Sequence, residues 1–278
     1  MNLKSTTPAW ALCALVIGAS LLAAPSSDAA VKSTLCVYDP SGANGDIYNL
    51  MKDFRTEALS WGVDFKMKPY TDEKTASEDF KAGQCKAALL TGTRGRPFQT
   101  FTSSVEALGA LPSYDLLGTV ISNLMRPKAA PLMKQGDYEV AGIWPIGAIF
   151  LYVRDRNVNT TEKLAGKKSA TLSYDQAAIT MVRQVGASMV ASEVSNFAGK
   201  FNNGNVDALY APASAYKALE LYRGIGKNGG VIRYPIAQLT QQLFIRSADF
   251  PDGFAQSARG FAKKTFNAAR RGVQSAEK

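Results

Sequence analysis

The chain has 278 residues, 46% hydrophobic and 20% charged, a globular composition long enough for two cores. It contains no histidine, which excludes a Ser-His-Asp or Cys-His site and removes the commonest metal ligand. The formal charge is +9, but the lysines and arginines are scattered. That pattern lacks a nucleic-acid-binding signature and reads as a solubilising surface with a preference for anions.

Residues 1–29 read as a secretory signal peptide. Lys4 supplies the positive start, Trp10 to Ala24 (WALCALVIGASLLAA) the apolar stretch, and Ser27-Asp28-Ala29 the cleavage pattern. The apolar run is shorter than the ~20 residues a spanning helix needs. Cleavage near Ala29 leaves Cys36 and Cys85, an even pair in an exported chain and therefore a disulfide candidate. Cys36 falls in the first predicted strand and Cys85 opens the third; a 2-1-3 strand order makes those strands neighbours. Two buried free cysteines are the alternative.

A strand over Thr34 to Tyr38 leads into the turn-rich loop Pro40 to Gly45. A helix follows, with Ile47, Leu50, Met51, Phe54 and Ala58 at helical spacing. Val63 to Tyr70 (VDFKMKPY) alternates like a half-buried strand. Thr71 or Asp72 caps a helix over Glu73 to Ala82 that stops at Gly83. Lys86 to Thr91 is a short apolar strand, followed by a loop with Arg94 and Arg96. Val105 to Met133 mixes helix and turn. Tyr138 to Val153 reads as two strand-like runs split by Pro145 and Gly147, a natural crossover. TTEKLAG (Thr160 to Gly166) predicts a short helix before a strand over Lys167 to Ser173, and Ala178, Met181, Val182, Val185 and Met189 form one helical face. Pro212 is placed at the first position of a helix running to Gly224. Val231 to Arg246 holds two more apolar runs. Gly253 to Arg270 is amphipathic, with Arg259, Lys263, Lys264 and Arg270 assigned to an outer, solvated face.

The two halves echo each other. Phe80-x-x-Gly83-x-x-x-Ala87 returns as Phe201-x-x-Gly204-x-x-x-Ala208, and an apolar run ending in Tyr38-Asp39 returns ending in Tyr174-Asp175. Two similarly built α/β lobes follow, each presenting loops at the carboxyl ends of its strands, where open parallel sheets bind ligands.

Several stretches resemble periplasmic solute-binding proteins of the tripartite ATP-independent (TRAP) type: TEKLAGKK (Thr161 to Lys168) and FNNGNVDALYAP (Phe201 to Pro212). More narrowly, CVYDPSGANGD, YTDEKTASEDFKAGQC, TGTRGR, ALGALP and YPIAQLTQQLFIR resemble a set of gammaproteobacterial solute-binding proteins, some of them labelled components of RND-type efflux systems. The resemblance implies a two-lobed α/β periplasmic-binding-protein (Venus-flytrap) fold, type II-like, with hinge strands between the lobes. Residues 30–143 with about 232–278 would form one lobe, and residues 144–231 the other. It implies a periplasmic monomer that captures a small polar or anionic molecule and passes it to an integral-membrane transporter, with no cofactor, metal or nucleic acid. Many TRAP-type binders place an arginine in the first strand of the second lobe; here that strand reads KKSATLSYD and carries none.

The strand-end rule selects the ligand contacts. The first lobe offers Tyr38, Asp39, Asn44, Thr91, Arg94 and Arg96; the second offers Tyr174, Asp175, Tyr210 and Ser214; Trp144 offers a stacking face near the crossover. An arginine fork suits a carboxylate or other oxyanion, so Arg94 and Arg96 are assigned the anionic end. Asp175 is read mainly as a helix cap. A periplasmic accessory of an efflux system is the second functional reading. A carboxylate enzyme using Asp39 and Asp175 as acid and base comes last.

Overall fold

The computed structural model describes residue 1 and residues 29–277, so the expected signal peptide falls outside the described residues. The first α/β unit runs β1 (Val31–Tyr38), α1 (Asp46–Ser60), β2 (Val63–Tyr70), α2 (Glu73–Lys81) and β3 (Ala87–Thr91). Helix α1 buries Met51, Phe54 and Ala58 as its spacing predicts, together with Tyr48, while Ile47 and Leu50 are half-buried at the edge of the core. The Asp72 carboxylate caps α2 by accepting from the Thr75 amide, and the chain turns out of that helix at Gly83, φ 77°. Short helices α3 (Gly92–Gly95) and α4 (Thr100–Ser103), then α5 (Tyr114–Leu124), lead to β4 (Lys134–Gln135) and β5 (Tyr138–Val153).

The second unit repeats the first: β6 (Lys168–Leu172), α6 (Gln176–Gln184), β7 (Ser188–Ser192), α7 (Phe197–Asn202) and β8 (Ala208–Pro212). Then come α8 (Ala215–Ala218), α9 (Leu221–Ile225), β9 (Gly230–Arg246) and α10 (Phe254–Ser275). Strand order is β2-β1-β3-β9-β5-β8-β6-β7, with β4 attached to β5. From the central β9–β5 pair, the sheet reads β3, β1, β2 one way and β8, β6, β7 the other. The outer pairings are parallel in both halves, while β9 and β5 run antiparallel to their neighbours. The echo is therefore structural. Phe80 and Phe201 are both fully buried, Gly83 and Gly204 have φ of 77° and 78°, and Ala87 and Ala208 open equivalent strands.

Packing divides at the same place. One apolar core gathers α1, the β1–β3 strands, the start of β5 and α10; a second gathers Tyr152, Phe197, Phe201, Leu209 and Leu221. Phe150 touches both, so β5 passes from one lobe to the other near Phe150. A disulfide joins Cys36 on β1 to Cys85, two residues ahead of the neighbouring β3 rather than at its start, with their Cα atoms 5.9 Å apart.

Four expectations are corrected. Tyr138 to Val153 and Gly230 to Arg246 are single long strands rather than split runs. Register shifts absorb the breakers, one of them lying between Pro145 and Gly147, where Gly147 takes φ 137°. Pro145 is tolerated because β8 pairs with β5 only from Ile149 onward. Thr160 to Gly166 contains only a 3-10 turn, Glu162–Leu164. Pro212 ends β8 rather than starting a helix, and a left-handed Glu220 splits the helix that follows. Arg259 is 2% exposed, not on the outer face of α10. Its Nη1 donates to Glu139 at 2.7 Å and to the Val140 carbonyl at 3.1 Å, a pairing that sequence periodicity does not reveal.

Candidate ligand cleft

Each parallel unit ends its strands on the same side, so the loops after β1, β2 and β3 face those after β6 and β7. Strand β3 runs straight into α3, whose N-cap is Thr91; the Thr91 hydroxyl accepts from the Arg94 amide at 3.2 Å. This turn aims Arg94 across the molecule. Its Nη2 lies 3.4 Å from Glu193 Oε2, on the loop after β7, and its Nε lies 3.8 Å from Glu73 Oε2, at the start of α2. The guanidinium stacks on Tyr174, with Cζ 3.4 Å from the ring centroid. Tyr174 donates its hydroxyl to Glu73 at 3.5 Å, and Ser173 donates to Glu193. Glu73 and Arg94 belong to the first unit, Ser173, Tyr174 and Glu193 to the second. The cluster thus ties the two lobes together.

Glu73 is 1% exposed, and its Oε1 accepts from the Thr91 amide at 2.7 Å. Burial raises its pKa, against the pull of that amide and of Arg94. Burial and then the Glu73 charge push the Tyr38 and Tyr174 hydroxyls well above the ordinary phenol range, so both phenols are neutral donors at neutral pH. A second buried carboxylate, Glu106, stands behind α3. It accepts from the Gly92 amide, the Thr93 hydroxyl, and the Thr240 amide and hydroxyl at 2.6–3.0 Å. Burial outweighs these donors and lifts its pKa to about 7.

Of the residues singled out in the sequence, the structure brings Tyr38, Thr91, Arg94 and Tyr174 to this cluster. The others have different surroundings. The Asp39 carboxylate is spent on the Ser41 and Tyr48 amides at 2.8 and 3.0 Å, pinning the β1–α1 loop. Asp175 caps α6 through the Ala178 amide at 3.1 Å. Neither carboxylate faces the other as an acid–base pair. Trp144 is 1% exposed and donates to the Thr265 hydroxyl at 2.8 Å, inside the core under α10; it offers no stacking face. Asn44 and Ser214 are exposed on their turns. The Tyr210 hydroxyl accepts from the Leu172 amide at 3.2 Å and stays within the second lobe. Arg96 is the C-cap of α3 and, among the described residues, has no ion pair.

Glu73, Ser173 and Glu193 were not singled out from the sequence. The internal repeat carried the signal: β2 is followed by Asp72-Glu73 and its counterpart β7 by Glu193, so extending the echo one strand further pairs the two acids. Two hollows lie elsewhere. An apolar one of about 330 Å³ is lined by Leu151, Val158, Leu164, Val182, Ile232 and Tyr234. A polar groove of about 590 Å³ is lined by Lys32, Ser33, Tyr48, Lys52, Arg55 and Lys66 among others. Neither is lined by Arg94, Glu73, Tyr174 or Glu193.

The family model described as Solute-binding protein AdeT 1/2 matches residues 58–278. A relative from Acinetobacter baumannii, "Probable solute-binding protein AdeT1", is 41% identical over 231 residues, 83% of this chain and 76% of the relative. A second from the same organism, "Probable solute-binding protein AdeT2", is 23% identical over 158 residues, 57% of this chain and 66% of the relative. Among solved structures, a TRAP periplasmic solute-binding protein from Desulfovibrio salexigens with bound orotic acid superimposes with a TM-score of 0.70. It is 11% identical, over 88% of this chain and 80% of that one. One from Bradyrhizobium in complex with galacturonate also gives a TM-score of 0.70, at 14% identity over 89% and 84%. The two-lobed architecture is therefore that of the TRAP periplasmic binders, and the chain belongs to the AdeT 1/2 family of solute-binding proteins.

Proposed function

We propose that the protein is exported through its N-terminal leader and works in the periplasm. There its lobes close over a small polar or anionic organic solute, and the loaded protein delivers that solute to an integral-membrane transporter. The observation that carries this reading is the Arg94 cluster, in which one guanidinium meets a carboxylate from each lobe and a tyrosine ring from the far one. Contacts made only when the lobes meet are the ones through which a solute shifts the balance toward closure. We place the lobe exchange on β5 beyond Ala148, since Trp144 and Ala148 pack in the first core. In this reading Arg94 holds the acid end of the solute, and Tyr38, Thr91 and Tyr174 line its path. The Arg94 turn after β3 takes over a task that the arginine-free strand β6 does not perform. The solved neighbours carry ligands such as orotic acid and galacturonate, which supports an acidic solute. No bond is made or broken: Asp39 and Asp175 are committed to backbone amides.

A thermal-shift screen of organic acids and sugar acids tests the reading. A compound that raises Tm in the wild type and leaves Arg94→Ala unmoved supports it. A compound that stabilises both equally removes Arg94 from the site.

A further inference from the structure

The Arg94 cluster constrains the charge of whatever enters it. The ion pair between Arg94 and Glu193 spans the two lobes within the proposed cleft. The wall behind it is rich in carboxylates. Glu73, Asp39 and Asp72 all act on the Tyr38 hydroxyl, and Arg94 is the cation set against them.

Three kinds of solute meet this arrangement differently. A purely anionic one takes Arg94 from Glu193 and leaves that carboxylate in the closing cleft without its cation. A purely cationic one takes Glu193, leaves Arg94 paired with Glu73, and brings no acid group for Arg94 to hold. A solute with both signs exchanges one ion pair for two: its acid group meets Arg94, its ammonium meets Glu193, and no charge is stranded. Leaving a partly buried charge without its partner is the costly case, and of the two solutes that bring an acid group only the third avoids it.

A separate observation concerns an unpaired acceptor beside Thr91. Gln241 is 1% exposed and lies beside Thr91 in the β3–β9 register. Its amide nitrogen donates to the Tyr38 carbonyl at 2.9 Å, which fixes the orientation of the side chain. Its Oε1 has no hydrogen-bond partner. Thr91 is also the residue whose amide binds Glu73. An unused acceptor therefore sits next to the acid wall, and a solute N–H satisfies it.

Resting on the reading of the cleft given above, we propose that the solute is zwitterionic, an amino-acid-like molecule whose acid group displaces Glu193 from Arg94 and whose ammonium binds Glu193 in turn. Glu193 is then the residue that separates amino acids from plain acids.

The test is calorimetry on the mature protein with paired probes. Each protein amino acid is set against the α-hydroxy acid of the same side chain, such as alanine against lactate, in wild type and in Glu193→Gln. The Glu193 side chain is 34% exposed, so the isosteric change leaves the fold intact, as circular dichroism will register. At least one amino acid is expected to bind about tenfold or more tightly than its hydroxy acid, and Glu193→Gln should erase that preference. Three results overturn the inference: no amino acid binds; hydroxy acids bind as tightly as their partners; or the preference survives in Glu193→Gln. Hydroxy acids that bind well to the wild type and are lost in Arg94→Ala would sink the zwitterion while sparing the cleft. Probes that bind Arg94→Ala unchanged would sink the cleft itself.

Discussion

Arg259 and Glu139 show what a buried charge demands of its surroundings. The pair is almost fully desolvated, and its 2.7 Å contact is supplemented by the Val140 carbonyl, Gln256 and Ser247. Truncating Arg259 to Ala leaves the buried Glu139 with Lys134 Nζ at 3.5 Å as its remaining cation, which should lower unfolding stability by about 3 kcal/mol in urea titration. Replacing both partners, as Glu139→Gln with Arg259→Met, should recover most of that loss. Glu106 supplies a pH signature. Its folded pKa, about 7, lies above the unfolded value near 4.5, so between those limits the folded state holds the extra proton. Stability from this group is full below about pH 4.5 and is lost as pH rises through 7, by about 3 kcal/mol from the size of the shift. Glu73, also raised, adds with the same sign. Thermal melts from pH 5 to 8 should show Tm falling in the wild type and a flatter profile in Glu106→Gln. An equal slope in both would contradict the assignment.

The elements were legible where local chemistry sets them. Helix α2 has its Asp72 cap and Gly83 stop, β3 is an apolar run up to the capping Thr91, and α10 carries its stripe of Phe254, Ala258, Phe261 and Phe266. Tertiary context hid the rest. Pro145 and Gly147 read as a break, yet the ribbon of β5 and β9 absorbs them as register shifts, because pairing on one side is enough to hold a strand. The disulfide belongs to this scale. It closes a loop with a sequence separation of 49 and staples β1 to β3 beneath the strand ends that carry Tyr38 and Arg94. In the chain-entropy account such a loop is worth about 4 kcal/mol. Cys36→Ser with Cys85→Ser should therefore lower Tm by roughly 10 °C. A shift of under a few degrees would mean that packing alone holds the two strands.

The molecule as a whole is two copies of one α/β plan joined by two long antiparallel strands. The echo of Phe80, Gly83 and Ala87 in Phe201, Gly204 and Ala208 was enough to expect that plan. The candidate ligand cleft was less legible, because a strand-end rule names residues at the right end of each strand without saying which way they turn. It selected Arg94 and Tyr174, whose side chains meet across the cleft. It also selected Asp39 and Asp175, which turn back onto backbone amides, and Trp144, which points into the core. It passed over Glu73 and Glu193, whose part appears only when the two lobes are placed face to face.

The central claim is that this protein closes around a solute at Arg94. Native mass spectrometry of protein purified from its own host, before and after mild unfolding, tests it most directly. The account predicts a small molecule retained by the wild type, released on unfolding, and absent from Arg94→Ala. A bound molecule that Arg94→Ala retains in the same proportion would contradict it.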